Sequence, residues 1–245
     1  MNALRDIAAR HGIAMAQAPM SPLPPLGRVE APWWDDKPLA IVGTGSSLNG
    51  FDFASFDNPR FRVLAVKEAV WDLPFAAAVF GLDRPWINRQ AQRLQDCPVP
   101  KVLSVEPEVR PCAQIDGALY LMRQRFPGFS DDPAVIQSGA NSGFGAVNYA
   151  YLKRAKHICL FGFDYKPGPH YCQDRYTDGN GNPQPADHNA RYWLNWGDNF
   201  NDCRAQLERA GVTVMNASIH STVKAFPKCS IEEGLRWLIN IPQRS

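Results

Sequence analysis

An α/β fold is predicted, with a mostly parallel sheet, helices on both faces and a long aromatic and histidine-bearing lid loop. Three features of the sequence carry that expectation. From Pro38 onward, short apolar runs alternate with amphipathic stretches, and strands that alternate with helices form a parallel sheet covered on both sides. Several of the runs end in polar turns containing glycine, at the end of the strand where open α/β sheets bind ligands. A polar span over 166–195, crowded with Pro and Gly, then interrupts the alternation and is too long for an ordinary connection.

Taken in order, residues 1–37 read as an N-terminal arm. Ala3, Leu4, Ile7 and Ala8 can start a helix, but Pro19, Pro22, Pro24, Pro25 and Pro32 break any regular element after it. Such an arm suits packing against a second copy of the chain, which predicts a homo-oligomer. Residues 38–245 read as one domain, with strands expected over 39–42, 61–66, 76–81, 101–103, 157–161 and 212–216. The clearest helices fall at 141–154 and 199–210. The lid over 166–195 carries His170 and His188, with Tyr165, Tyr171, Tyr176, Tyr192, Trp193 and Trp196 in or beside it. That aromatic content predicts an ordered lid, because disordered linkers are poor in aromatics.

Composition narrows the class. At 245 residues and 45% hydrophobic, the chain is long enough for one sizeable core, while a formal net charge of +2 gives no bulk attraction to duplex nucleic acid. The chain has no apolar run of about 18 residues and no secretory leader pattern, so a soluble, cytoplasmic protein is expected. Its six cysteines show no CxxC or CxxH cluster, which predicts free thiols rather than disulfides or a metal site.

The chemistry is expected at the strand ends. The run Leu39 to Val42 leads into Gly43-Thr44-Gly45-Ser46-Ser47-Leu48, where the two glycines let backbone amides approach a ligand and the hydroxyls suit phosphate or ribose oxygens. The turn is neither GxGxxG nor a Walker A. Its alternative reading is a strand ending in a capped turn. The segment Gln137-Ser138-Gly139-Ala140-Asn141-Ser142-Gly143 precedes a helix whose first amides suit an anion, with Ser138 or Asn141 as the cap. Asp164 and Tyr165 follow the strand 157–161, where Asp164 is either a ligand-binding or basic carboxylate or a turn residue. Asn216, Ser218, His220 and Ser221 follow the last strand and face the same crevice or cap a helix.

In this order, GTGSSLNGFDF, SGANSG, LFGFDY, the His-bearing lid and NASIHSTVKAF resemble glycosyltransferase family 42, the bacterial sialyltransferases. They also resemble a wider group of phage and bacterial proteins with the same Rossmann-like core. The likeness spans residues 38–235 and is diffuse over 84–132. Thr44 and Ser46 stand where that family carries Asn and Pro, and Lys67 where a polar amide is expected.

The resemblance implies a metal-independent glycosyltransferase. A CMP- or UDP-linked sugar donor would be held by Gly43, Thr44, Gly45, Ser46, Ser138, Gly139, Asn141 and Ser221, with Ser47, Ser142, Asn216, Ser218 and His220 nearby. His188, with His170 as the competitor, would deprotonate the acceptor hydroxyl, and lid tyrosines would assist the leaving phosphate. The acceptor would be a glycan or, on the phage side of the likeness, a modified DNA base. More distantly the core resembles 6-hydroxymethylpterin diphosphokinase-like proteins. That rival implies ATP, Mg²⁺ on Asp164 and Asp83, and Lys67 on phosphate. A third reading is a nucleotide-binding or assembly protein without chemistry.

Overall fold

The computed structural model describes residues 24–30, 36–106, 112–175 and 190–242. Eight parallel strands form one sheet in the order β6-β5-β4-β3-β2-β1-β7-β8. They are β1 (Leu39–Val42), β2 (Arg62–Val66), β3 (Ala78–Gly81), β4 (Lys101–Val105), β5 (Leu119–Gln124), β6 (Val135–Gln137), β7 (His157–Phe161) and β8 (Thr213–Asn216). Six α-helices accompany them among the described residues: α1 (Arg84–Arg89), α2 (Ala91–Asp96), α3 (Ser142–Leu152), α4 (Ala190–Asp198), α5 (Asn201–Arg209) and α6 (Ile231–Asn240). This is a Rossmann-like α/β architecture, as the alternation of runs predicts.

The two-residue period of a strand sorts the core into two layers. Leu39 and Ile41 of β1 join a cluster with Phe144, Val147 and Tyr149 of α3 and with Cys203 and Leu207 of α5. Ala40 and Val42, one residue out of phase, face Trp86 and Ile87 of α1, Leu94 of α2 and Leu238 of α6. All four residues of β1 are fully buried. A strand hydrophobic on both faces belongs in the middle of a covered parallel sheet, which is where β1 lies. All six cysteines are free, and Cys159 sits as a small core residue inside β7.

Several elements escape the pattern of runs. β5 and β6 lie at one edge of the sheet, and β5 ends in the half-buried Met122, Arg123 and Gln124, so its hydrophobic signal is weak. α6 has a signature that the strand-and-helix reading passes over: Ser230 and Glu233 form a reciprocal capping box. α4 begins inside the stretch read as a lid. The described part of the arm packs on the chain's own sheet, where Gly27 N–H donates to Tyr120 O at 2.8 Å and Val29 N–H to Pro133 O at 2.7 Å. No helix among the described residues is long and apolar enough to cross a membrane.

Candidate functional site

Strand order changes direction at β1, which pairs with β2 on one side and with β7 on the other. The connections leave on opposite sides of the sheet at such a point, so the loops diverge at the C-terminal strand ends and leave a crevice. A cavity of about 340 Å³ opens there. Its walls come from the turn after β1, the ends of β2, β3 and β7, the N-terminus of α3 and the start of the predicted lid.

The turn after β1 is tied to the end of β7. Gly43 N–H donates to Phe161 O at 2.8 Å and Gly45 N–H to Gly162 O at 2.9 Å, so neither amide is aimed at a ligand. A Cβ on Gly45 would lie 2.6 Å from Gly162 O and 2.7 Å from Asp164 Oδ2. Close approach is what the glycines provide, and the group that approaches is the neighbouring strand end. Thr44 and Ser46 line the cavity. Among the described residues their amides have no protein acceptor.

Asp164 is the hub of this arrangement. It is buried; its Oδ2 accepts from Ser47 N–H at 2.8 Å and Ser46 Oγ at 3.2 Å, and its Oδ1 accepts from Ser218 Oγ. Its carbonyl accepts from Thr222 N–H at 2.9 Å. The carboxylate thus clamps the β1 turn to the segment after β8. Ser221 reinforces the clamp from the same segment, donating from Oγ to Phe163 O at 2.6 Å.

α3 presents its N-terminus to the cavity. Asn141 is the cap, with Oδ1 accepting from Phe144 N–H at 2.7 Å and from Tyr165 Oη at 2.6 Å. Burial pushes the Tyr165 phenol well above its ordinary range, so it stays a neutral donor. The amides of Ser142 and Gly143 remain without protein acceptors among the described residues. Ser142 Oγ is also buried with no hydrogen-bond partner. Gly143 is fixed by packing, since a Cβ there would meet Tyr165 Oη and lie 2.9 Å from Phe163.

The opposite wall is cationic. Lys67 Nζ pairs with Asp83 Oδ2 at 2.7 Å, and Arg89, the last residue of α1, lines the cavity beside Trp86. Burial works to raise the Asp83 carboxyl, but Lys67, Arg123 and Arg89 outweigh it and hold the group below its ordinary value. Beneath the wall lies Glu68, whose Oε1 accepts from Trp86 Nε1 at 2.6 Å. Burial raises the Glu68 carboxyl above its ordinary value, against the opposing pull of Lys67, its own backbone, Trp86 and Arg89.

His170 closes one side. Its Nδ1 lies 3.0 Å from Thr44 Oγ1 and 3.2 Å from Thr44 O. A carbonyl only accepts, so the second contact calls for Nδ1–H and leaves the lone pair on Nε2. The segment is anchored by Tyr171, whose N–H donates to Thr44 O at 3.1 Å and whose Oη donates to Asp72 Oδ2 at 2.8 Å.

Strain is concentrated around the same cavity. Five described non-glycine residues have φ in the left-handed region; Lys67 (54°), Ala140 (60°) and Tyr165 (48°) are three of them, and all three line it. Each such residue costs about 1–3 kcal/mol and persists where surrounding structure holds it.

Of the residues singled out from sequence, Gly43, Thr44, Gly45, Ser46, Lys67, Asp83, Asn141, Ser142, Asp164, Tyr165 and His170 converge on this cavity. Ser47, Ser138, Gly139, Asn216, Ser218 and Ser221 stand behind its lining. Ser138 Oγ accepts from Ala140 N–H at 3.3 Å, Gly139 O accepts from Asn199 Nδ2 at 2.7 Å, and Asn216 Nδ2 donates to Phe163 O at 3.4 Å. They shape the turns that carry the lining. His220 is exposed and outside the cavity wall. His188 lies outside the described residues, as does Tyr176.

Arg89 and Trp86 are the residues that sequence reading missed. The only local signal is Pro85 at the start of a helix directly after a strand, and α1 spans six residues, too few to show a helical period. No protein-family model matches this chain, and comparison with curated proteins finds no match.

Proposed function

We propose that this chain binds a nucleotide-linked sugar in the strand-end cavity and transfers the sugar to an acceptor hydroxyl without a metal. One observation carries the reading: the α3 N-terminus, with its amides and the buried Ser142 Oγ unsatisfied, shares a cavity with His170. The amides and the hydroxyl are suited to the phosphate of a donor. Nε2 of His170 accepts the proton of the acceptor hydroxyl as its oxygen forms the new bond to the sugar. The bond from sugar carbon to phosphate oxygen breaks, and its electron pair leaves with the nucleotide. The charge that develops on that oxygen is met by donors already in place, which lowers the barrier without reorganisation. Trp196 and Pro169, which also line the cavity, offer apolar surface to the rest of the donor.

The chemistry of the carboxylates supports the metal-independent form. A magnesium site on Asp83 and Asp164 does not fit these residues. Asp83 is bonded to the Lys67 ammonium, and both oxygens of Asp164 accept hydrogen bonds from serine groups. Lys67, occupied by Asp83, is likewise not presented as a lone phosphate ligand.

Thermal shift of the full chain against CMP, UDP, GDP, ADP and ATP tests the reading first. A nucleotide at a hundred times its Kd stabilises the native state by about 2.7 kcal/mol, a rise in Tm of roughly 5–10 °C for a chain of this size. No shift with any nucleotide overturns the proposal. Donor turnover that survives chelation with EDTA supports the metal-free form, and turnover that requires Mg²⁺ overturns it. His170→Ala and His188→Ala divide the role of base: the one that removes transfer while keeping donor affinity identifies it.

A further inference from the structure

We infer that the donor carries a diphosphate, with one phosphate seated at the α3 N-terminus and the second on Arg89. This rests on the donor reading above and narrows it from nucleotides in general to nucleoside diphosphates. The first seat is an eleven-residue helix whose first two amides have no protein acceptor. Its independent support is Ser142, 7% exposed and lining the cavity, whose Oγ has no hydrogen-bond partner. A buried hydroxyl is ordinarily bonded, and a phosphate oxygen would complete this one.

The second seat stands on a different observation. Arg89 lines the same cavity with its Nε buried and unbonded, and among the described residues no carboxylate forms an ion pair with it. Of the nearby acids, Asp83 holds Lys67 at 2.7 Å and Glu68 accepts from the Trp86 indole at 2.6 Å through one oxygen, the other being unbonded. Burial also favours the uncharged form of Glu68. A guanidinium presents planar paired donors that match a phosphate bidentately. A cation at the end of α1 is favoured by the helix carbonyls in any case, but that asks nothing of a buried Nε. Two anion seats in the lining of one cavity of about 340 Å³ suit a single ligand that carries two anionic groups, as a diphosphate does.

Titration calorimetry on the full chain compares UMP with UDP, CMP with CDP, and orthophosphate with pyrophosphate. The diphosphate is expected to bind about tenfold tighter or more than the matching monophosphate, the worth of one charge-assisted contact. Arg89→Gln is expected to abolish that ratio by lowering diphosphate affinity far more than monophosphate affinity, whereas Ser142→Ala weakens both. Equal affinity for mono- and diphosphate in the unmodified chain overturns the inference while leaving the donor reading intact. So does an Arg89→Gln protein that loses both equally. If Arg89→Gln does not fold, the wild-type ratio alone decides. Pyrophosphate binding that depends on Arg89, without binding of any nucleotide, keeps the paired seats and overturns the donor reading; no binding by any of these probes overturns both.

Discussion

Replacing Asp164 separates a structural clamp from a catalytic carboxylate. Its two oxygens accept from one backbone amide and two hydroxyls in a buried site. Asp164→Ala leaves all three donors without their acceptor. The hydroxyls of Ser46 and Ser218 can turn toward other oxygens, but the Ser47 amide cannot. An orphaned buried donor costs about 1–3 kcal/mol, and hydrogen bonds to a charged acceptor contribute about 1.5–3 kcal/mol each. Allowing for the desolvation cost that disappears with the carboxylate, the net loss is about 3–4 kcal/mol. At roughly 2–4 °C per kcal/mol for a chain of this size, the expected fall in Tm is roughly 6–16 °C. Asp164→Asn keeps Oδ1 for the Ser47 amide and offers Nδ2 to a serine oxygen, so about 1–2 kcal/mol is expected. Urea and thermal unfolding of the two variants, with nucleotide binding measured on the folded fraction, test the ranking. If Asp164→Ala melts within 2 °C or so of the parent yet loses turnover, the carboxylate is a reacting group and the clamp is wrong.

Other perturbations follow from the same geometry. Gly45→Ala places a Cβ 2.6 Å from Gly162 O and 2.7 Å from Asp164; overpacking against a strand end should cost about 3 kcal/mol, and unchanged urea stability would show that the turn is free to move. Because burial raises the Glu68 carboxyl above its ordinary value of 4.5, the folded state keeps a proton that the unfolded chain releases, so stability falls as pH climbs from 4.5 through the folded value and then levels. Glu68→Gln, which keeps an oxygen for Trp86, should gain on the parent across that window in urea midpoints measured from acid to neutral pH; parallel curves would refute the burial effect. Thr44→Val removes one of the two Thr44 oxygens that His170 Nδ1 approaches and should lower kcat with donor affinity kept, while a pH profile identical to the parent's would show that Thr44 does not position the imidazole. Ser230→Ala breaks the α6 capping box and should cost about 1 kcal/mol, visible as a small drop in Tm without any change in binding.

Much of the fold was legible because strand burial is written into composition. Leu39 to Val42 and Ile158 to Phe161 are apolar at every position, and only a strand covered on both faces accommodates that. β5 was not legible, because Met122, Arg123 and Gln124 at an edge are half-exposed and break the pattern. The candidate site was legible wherever a glycine turn or hydroxyl follows an apolar run, as at Gly43 to Ser46 and Asn141 to Ser142. Roles were less so: Asp164 reads as either a ligand-binding or basic carboxylate or a turn residue, and the Ser46, Ser47 and Ser218 groups that bond it come from segments far away in the chain.

By itself, the sequence determined the class of fold and the end of the sheet at which the glycine and hydroxyl turns gather, since periodicity and turn chemistry are local properties. Only the tertiary structure decided which of those turns face the cavity and which stand behind it. Ser218 and Ser46 carry the same hydroxyl after similar strands, yet one braces Asp164 from the far side and the other lines the wall. The tertiary structure alone also brought Arg89 and Trp86 into the site, from a helix too short to announce itself. Which groups converge depends on strand order and crossover, contacts between residues far apart in the chain that no local pattern encodes.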